Sequence, residues 1–169
     1  EVGAKPLAFL LNVADTTEDG TSEEFAAVKE VESTLSFPVY HIVGNHDIKT
    51  DASRGLFTEA FRQSPWGSHD VGAIHLIRLD NADRKVGFSA DQLDWLATDL
   101  AAHPDSINLL AYHRPFDYPL ANVLGDDETG TSRASNAKLV ELLGQHNITQ
   151  IFSGHLHTYA AYTFHDIPA

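Results

Sequence analysis

Four short strings in this chain gather side chains suited to binding metal ions. They are Asn12-Val13-Ala14-Asp15, Gly44-Asn45-His46-Asp47, His113-Arg114-Pro115 and Gly154-His155-Leu156-His157. Each follows an apolar run that reads as a β-strand. In layered α/β sheets, ligands gather outside the carboxyl ends of strands, so the four strings are expected on one rim. Carboxylate, amide and imidazole groups are O and N donors that suit Zn, Mn or Fe. Such a site can hold two divalent ions on a shared carboxylate. Two ions ~3.5–4 Å apart can clamp the attacking and leaving oxygens of a phosphoryl transfer.

The elements that must position these strings alternate along the chain. Leu7–Val13 is a continuous apolar run, as expected of a strand buried on both faces. Thr21-Ser22-Glu23-Glu24 has the form of a capping box that opens a helix, with Phe25, Val28, Val31 and Leu35 at helical spacing. Pro38 follows it, then a strand at Val39–Val43. Residues 49–69 are mixed, with a short helix predicted near Thr58–Gln63. Val71-Gly72 marks a turn into a strand at Ala73–Leu79. Ser89-Ala90-Asp91-Gln92 is a second capping box, and the helix after it carries Leu93, Leu96, Ala97 and Leu100 on one face. Ile107–Tyr112 is a further buried strand. Residues 117–134, including the run Asp126-Asp127-Glu128, read as a long solvated loop. A helix at Ala137–His146 and strands at Thr149–Ser153 and Tyr159–Phe164 complete the pattern. Strand–helix alternation with short links predicts a layered α/β fold.

Composition narrows the function. The 169 residues fit one domain, read here as 1–169. With 11 Lys and Arg against 24 Asp and Glu, the net charge is −13, and no basic stripe exists to bind a phosphate backbone, so nucleic acid is an unsuitable partner. No apolar run approaches the ~20 residues of a membrane span. There are no cysteines, which excludes disulfides and thiolate metal sites. Of the ten histidines, His41 and His75 lie inside predicted strands and His103 and His146 near helix ends, where ordinary packing and dipole contacts account for them. The chain lacks Met and begins at Glu1, so an upstream segment is expected, and any signal peptide would lie there. Compartment and oligomeric state carry no sequence marker. There is no Walker lysine motif and no His-Glu-x-x-His zinc motif.

Taken in order, the four strings resemble the calcineurin-like metallophosphoesterases. Gly44-Asn45-His46-Asp47 and Gly154-His155-Leu156-His157 match that family's GNHD/E and GHxH motifs. His113-Arg114-Pro115 looks like its single-His motif, in the form of the purple-acid-phosphatase-like branch. Ala14-Asp15 looks like its Gly-Asp motif with Ala in the Gly position. The resemblance covers about Leu7 to Phe164 and implies two packed mixed β-sheets flanked by helices, a four-layer sandwich.

It further implies a dinuclear centre of Mn, Fe or Zn. Asp15 would bridge the ions, Asn45, His113 and His155 would complete one shell, and His157 would serve the other ion. His46 would act as general acid. Glu18 stands where many members orient that His with an Asp; Asp47 and Asp19 compete for the role. Arg114 either contacts substrate phosphate or forms a structural ion pair, and His69 is a further substrate-cleft candidate. The family's Asp-x-His motif, which precedes Gly-Asp, has no counterpart here: no Asp has His two residues later. Truncation at the N-terminus, and perhaps at the C-terminus, is therefore expected. The implied function is hydrolysis of a small phosphomonoester or phosphodiester by metal-activated hydroxide; the alternative is a non-catalytic or single-metal pseudoenzyme domain.

Overall fold

A computed structural model describes residues 7–50, 52–124 and 128–169. The chain runs β1 (Leu10–Asn12), α1 (Ser22–Glu32), β2 (Val39–His41), α2 (Ser53–Phe61), β3 (Gly67–Val71), β4 (Ile74–Arg78), α3 (Ala90–Ala102), β5 (Ile107–Ala111), α4 (Ala121–Leu124), α5 (Gly130–Leu143), β6 (Gln150–Phe152), β7 (Thr163–Phe164) and β8 (Ile167–Pro168). β1 and β2 pair in parallel across α1. β3–β4–β5–β6 form a mixed sheet in which only the β3–β4 pair is antiparallel. β7 and β8 make a short hairpin. The class is layered α/β, with helices flanking mixed and parallel sheets.

The larger core lies against the four-stranded sheet, where Leu96 and Leu100 of α3 and Leu139 and Leu143 of α5 pack on Ile77 and Leu110. A smaller aromatic core, Phe25, Phe57 and Phe61 with Val43, lies under α1 and α2. Its rings meet edge to face at 5.1–6.2 Å, a geometry aromatic pairs prefer. Arg78 ties the β1–β2 pair to the four-stranded sheet. It is fully buried, and its Nη1 donates to the carbonyls of His41 and Ser64 at 3.0 and 3.1 Å. Burial lowers its pKa to about 10, so it stays charged near neutrality.

Several expected elements differ in extent. β1 is three residues long and, among the described residues, pairs with β2 alone; Leu7, at 64% exposure, lies outside the core. β3 was not expected from its polar sequence; its hydrogen-bonded partner β4 makes it a strand. α2 starts at Ser53 and ends before Gln63, whose side chain instead bonds the backbone of Val39 and His41. α5 begins seven residues before the predicted Ala137. Thr129 caps it with Ser132, and Ser132, Ser135 and Asn136 are buried: Ser135 Oγ accepts the amide of Phe88. The strand expected at Tyr159–Phe164 is confined to Thr163–Phe164. Of the acidic run, Asp126 and Asp127 lie outside the described residues.

The two expected helix starts form at Thr21 and Ser89. At Ser89 only half the box closes, since Gln92 turns away to bond both backbone groups of Asp80. Among the described residues, no helix is long and apolar enough to cross a membrane.

Candidate metal centre

The site sits beyond the carboxyl ends of β1, β2, β5 and β6, as strand-end chemistry in an α/β sheet predicts. After β1 the chain turns sharply. Asn12 Oδ1 accepts the amide of Ala14, and Ala14 and Asp15 take left-handed φ values of 85° and 50°. Gly44 packs directly on this turn. A Cβ there would overlap the Asp15 carboxylate and amide, so only Gly lets the two strand ends close. The amide of His46 then donates to Asp15 Oδ1 at 3.0 Å.

Asp47 locks the same two loops from behind. It is fully buried and accepts from Thr17 N, Thr17 Oγ1 and Gly44 N at 2.8–2.9 Å. Burial pushes its pKa up against the pull of those donors. Its carboxylate is thus committed to the loop closure and is not the group that orients His46.

His113 and His155 come from the other two strand ends. Asn81 fixes the first: its Oδ1 accepts the amides of His113 and Arg114 at 3.1 and 3.0 Å, and its Nδ2 donates to Arg114 O at 2.8 Å. Asn81 too follows a strand end, that of β4, but no motif marks it in the sequence. His155 sits at φ 69° after Gly154, whose amide donates to His113 O.

These turns place four donor atoms together. His113 Nε2 lies 2.9 Å from Asn45 Oδ1, 3.2 Å from Asp15 Oδ2 and 3.2 Å from His155 Nδ1. Ligands at right angles on an ion with bonds of ~2.1 Å would be about 3.0 Å apart. The donor set and its spacing therefore fit a divalent transition ion. Asp15, His113 and His155 form one candidate ligand group. Burial opposes ionisation of Asp15, but the hydrogen bond and charge of His113, with the His46 amide, hold its carboxyl at about 2.

His46 stands beside this group. Its Nδ1 lies 3.0 Å from Glu18 O and 3.2 Å from Glu18 Oε1. Both are acceptors, so Nδ1 carries the proton there and Nε2 offers a lone pair. Glu18, rather than Asp47 or Asp19, thus contacts the His46 ring; Asp19 pairs with Lys49 at 3.0 Å. The Glu18 loop is held in turn by the capping box of α1, because Glu24 also accepts the amides of Glu18 and Asp19 at 3.2 Å.

Arg114 crosses the same rim. Its Nε donates to Ala82 O and its Nη1 lies 2.9 Å from His155 Nε2. Two candidates are not brought into the group. His157 is exposed and lies outside the Asp15–His113–His155 cluster. His69 sits in β3, its ring tilted against Tyr40 with centroids 4.5 Å apart, and its Nε2 lies 3.2 Å from Arg78 Nη2.

With this geometry in view, the chain belongs to the calcineurin-like phosphoesterase family, whose model matches residues 3–159. Among curated relatives, a probable glycerophosphodiester phosphodiesterase of Arcobacter nitrofigilis is 28% identical over 155 residues, covering 85% of this chain and 54% of that protein. A probable cyclic nucleotide phosphodiesterase of Rhodococcus erythropolis is 28% identical over 174 residues, covering 98% of this chain and 56% of that protein. The chain thus spans about half the length of the curated relatives it matches. The fold is shared with a dimetal phosphatase from Danio rerio, at TM-score 0.67 and 15% identity over 95% of this chain and 70% of that one. It is also shared with a purple acid phosphatase from yellow lupin seeds, at TM-score 0.67 and 15% identity over 88% of this chain and 30% of that one.

Proposed function

We propose that this chain carries the catalytic rim of a metal-dependent phosphoesterase acting on a small phosphomonoester or phosphodiester. The observation that carries this reading is the meeting of Asp15, Asn45 and His155 donors within 2.9–3.2 Å of His113 Nε2, with the His46 amide bonded to Asp15 Oδ1. Asp15, Asn45, His113 and His155 would hold one ion, and Asp15 with His157 would serve a second. Such ions, of Mn, Fe or Zn class, supply Lewis acidity and lower the pKa of a water nucleophile. Their charge also reverses the local field of an acidic chain, so a net −13 does not exclude an anionic substrate.

The protein's own residues do the rest. His46, held through Nδ1 by Glu18, directs Nε2 toward the leaving group and, once protonated there, delivers a proton to the departing alkoxide. Asn81 keeps His113 and Arg114 in register, which sets the Arg114 guanidinium beside His155 on the rim.

Turnover of an aryl phosphodiester tests the reading. His46→Ala is expected to lower kcat by at least ~10²-fold while metal content is unchanged. Glu18→Gln is expected to cost less than about tenfold, because the Glu18 carbonyl still steadies Nδ1 at 3.0 Å. An unchanged kcat in His46→Ala would remove the general-acid role.

A further inference from the structure

A second cluster of metal-binding side chains lies on the same sheet, at the opposite end of its parallel strands. His75 of β4 is 2% exposed and sits between two carboxylates: Asp70 Oδ1 is 2.6 Å from its Nδ1, and Asp99 Oδ2 is 2.7 Å from its Nε2. Asp70 is its cross-strand partner in β3, and Asp99 comes from α3. Ser68 Oγ fixes Asp99 from the other oxygen at 3.0 Å. His103, the C-cap of α3, stacks on His75 with centroids 3.7 Å apart, and its Nδ1 lies 2.7 Å from Asp99 O.

We propose that Asp70, His75 and His103 bind a divalent ion of the zinc class, with Asp99 holding both imidazoles. Two observations carry this. First, ligand atoms of Asp70, His75 and His103 all lie within 4.8 Å of one another. Secondly, each ring already has its other nitrogen on an acceptor: His75 Nε2 on the Asp99 carboxylate, and His103 Nδ1 on the Asp99 carbonyl. Metal-bound histidines show this pattern, because a hydrogen bond at one nitrogen fixes the tautomer and aims the other at the ion. It leaves His75 Nδ1, His103 Nε2 and Asp70 Oδ1 as ligands, and zinc would take a fourth donor such as water.

Charge agrees. With both imidazoles neutral, Asp70 and Asp99 leave the cluster at −2, which one divalent ion neutralises. The ion takes the place of the proton between His75 Nδ1 and Asp70, and that proton leaves to solvent. The two rings are now nearly parallel, at 16°, so His103 must tilt to direct its lone pair inward. At 28% exposure it can do so about its Nδ1 hydrogen bond while the buried His75 stays in place. His75 is in register with Asn108 of β5, five residues before His113. At 3.3 Å per residue the two clusters stand roughly 16 Å apart, so this ion would not share the rim's ligands. It would tie the β3–β4 hairpin to the end of α3.

Zinc is the probe. The chain is dialysed against Zn²⁺, bound metal is counted by mass spectrometry, and thermal unfolding is followed with and without the ion. Asp70→Asn and His103→Gln are each expected to hold about one zinc per chain fewer than wild type and to lose the corresponding Zn²⁺-dependent rise in Tm. Both change partly exposed side chains, and both are expected to keep the turnover of the rim. His113→Ala is expected to retain the zinc lost in those two variants. If Asp70→Asn and His103→Gln keep the wild-type zinc count, the cluster holds a proton only and the proposal is overturned.

Discussion

The two ends of the β4–β5 pair hold histidines in opposite ways. At the carboxyl end, the turns that carry Asp15 and His155 depart from regular backbone. Ala14, Asp15 and His155 have positive φ, and Gly44 closes on Asp15 at a distance no other residue allows. At the amino end, His75 and His103 sit at ordinary positions, one inside a strand and one at a helix C-cap. The rim takes its precision from strained local turns, which cost of order 1–3 kcal/mol each and persist where surrounding structure over-determines them. The far cluster takes its precision from strand register, with no strained residue among Asp70, His75, Asp99 and His103. One sheet can thus carry two ligand groups that respond to different kinds of damage.

That contrast can be broken most forcefully at Gly44. Gly44→Ala places a Cβ in the Asp15 carboxylate, and a displacement of about 1 Å at such a site can cost ~10² in rate. Turnover is expected to fall by at least that factor while zinc bound at Asp70, His75 and His103 is retained. Equal loss of both functions would show that the two ends are not independent.

A third histidine separates burial from partnership. His41 is as buried as His75, but it stacks on Phe61 at 3.8 Å, and among the described residues neither of its ring nitrogens has a hydrogen-bond partner. Glu32 Oε1 lies 2.6 Å from Nε2 without an aligned bond. Burial, with the charges of Lys29 and Arg78, lowers the His41 pKa from 6.5 to about 4. Above about 6.5 the ring is neutral in the folded and unfolded chain, and stability is unaffected. As pH falls from there through about 4, the unfolded chain takes up the proton first and the fold loses up to about 3 kcal/mol. Urea unfolding at a series of pH values should show this loss in wild type and a flatter profile in His41→Gln. An identical slope in both would assign the acid sensitivity elsewhere.

The smallest effect is expected at Ala14. Its φ of 85° suits glycine, and a Cβ there costs about 1–2 kcal/mol, partly offset by the greater freedom of glycine in the unfolded chain. Ala14→Gly should therefore raise stability by about 0.5–1 kcal/mol and Tm by roughly 2 °C. A lower Tm would mean that the turn is not strained.

The rim was legible in the sequence because its chemistry is contiguous. Asn45 and His46 are neighbours, as are His113 and Arg114, and each string ends an apolar run. Both predicted caps formed at Thr21 and Ser89 for the same reason, since capping is decided within four residues. What escaped depends on partners distant in sequence. β3 is polar and becomes a strand only by pairing with β4. The start of α5 read as loop because its serines face inward to meet the 86–88 turn, as Ser135 does with Phe88. His75 was placed correctly inside a strand, yet its tie to Asp99 spans 24 residues and no local pattern announces it. Asn81 is an intermediate case: it stands at a strand end, but its three bonds span 32 or 33 residues.

The reach of Glu24 has a consequence in time as well as space. The carboxylate that closes the first turn of α1 also holds the amides of Glu18 and Asp19, and the Glu18 carbonyl holds the His46 ring. Each fraying event at the start of α1 therefore frees the general-acid candidate from its support. Hydrogen exchange at residues 18 and 19 becomes a clock for the rim, reading how often His46 is released between one alignment and the next.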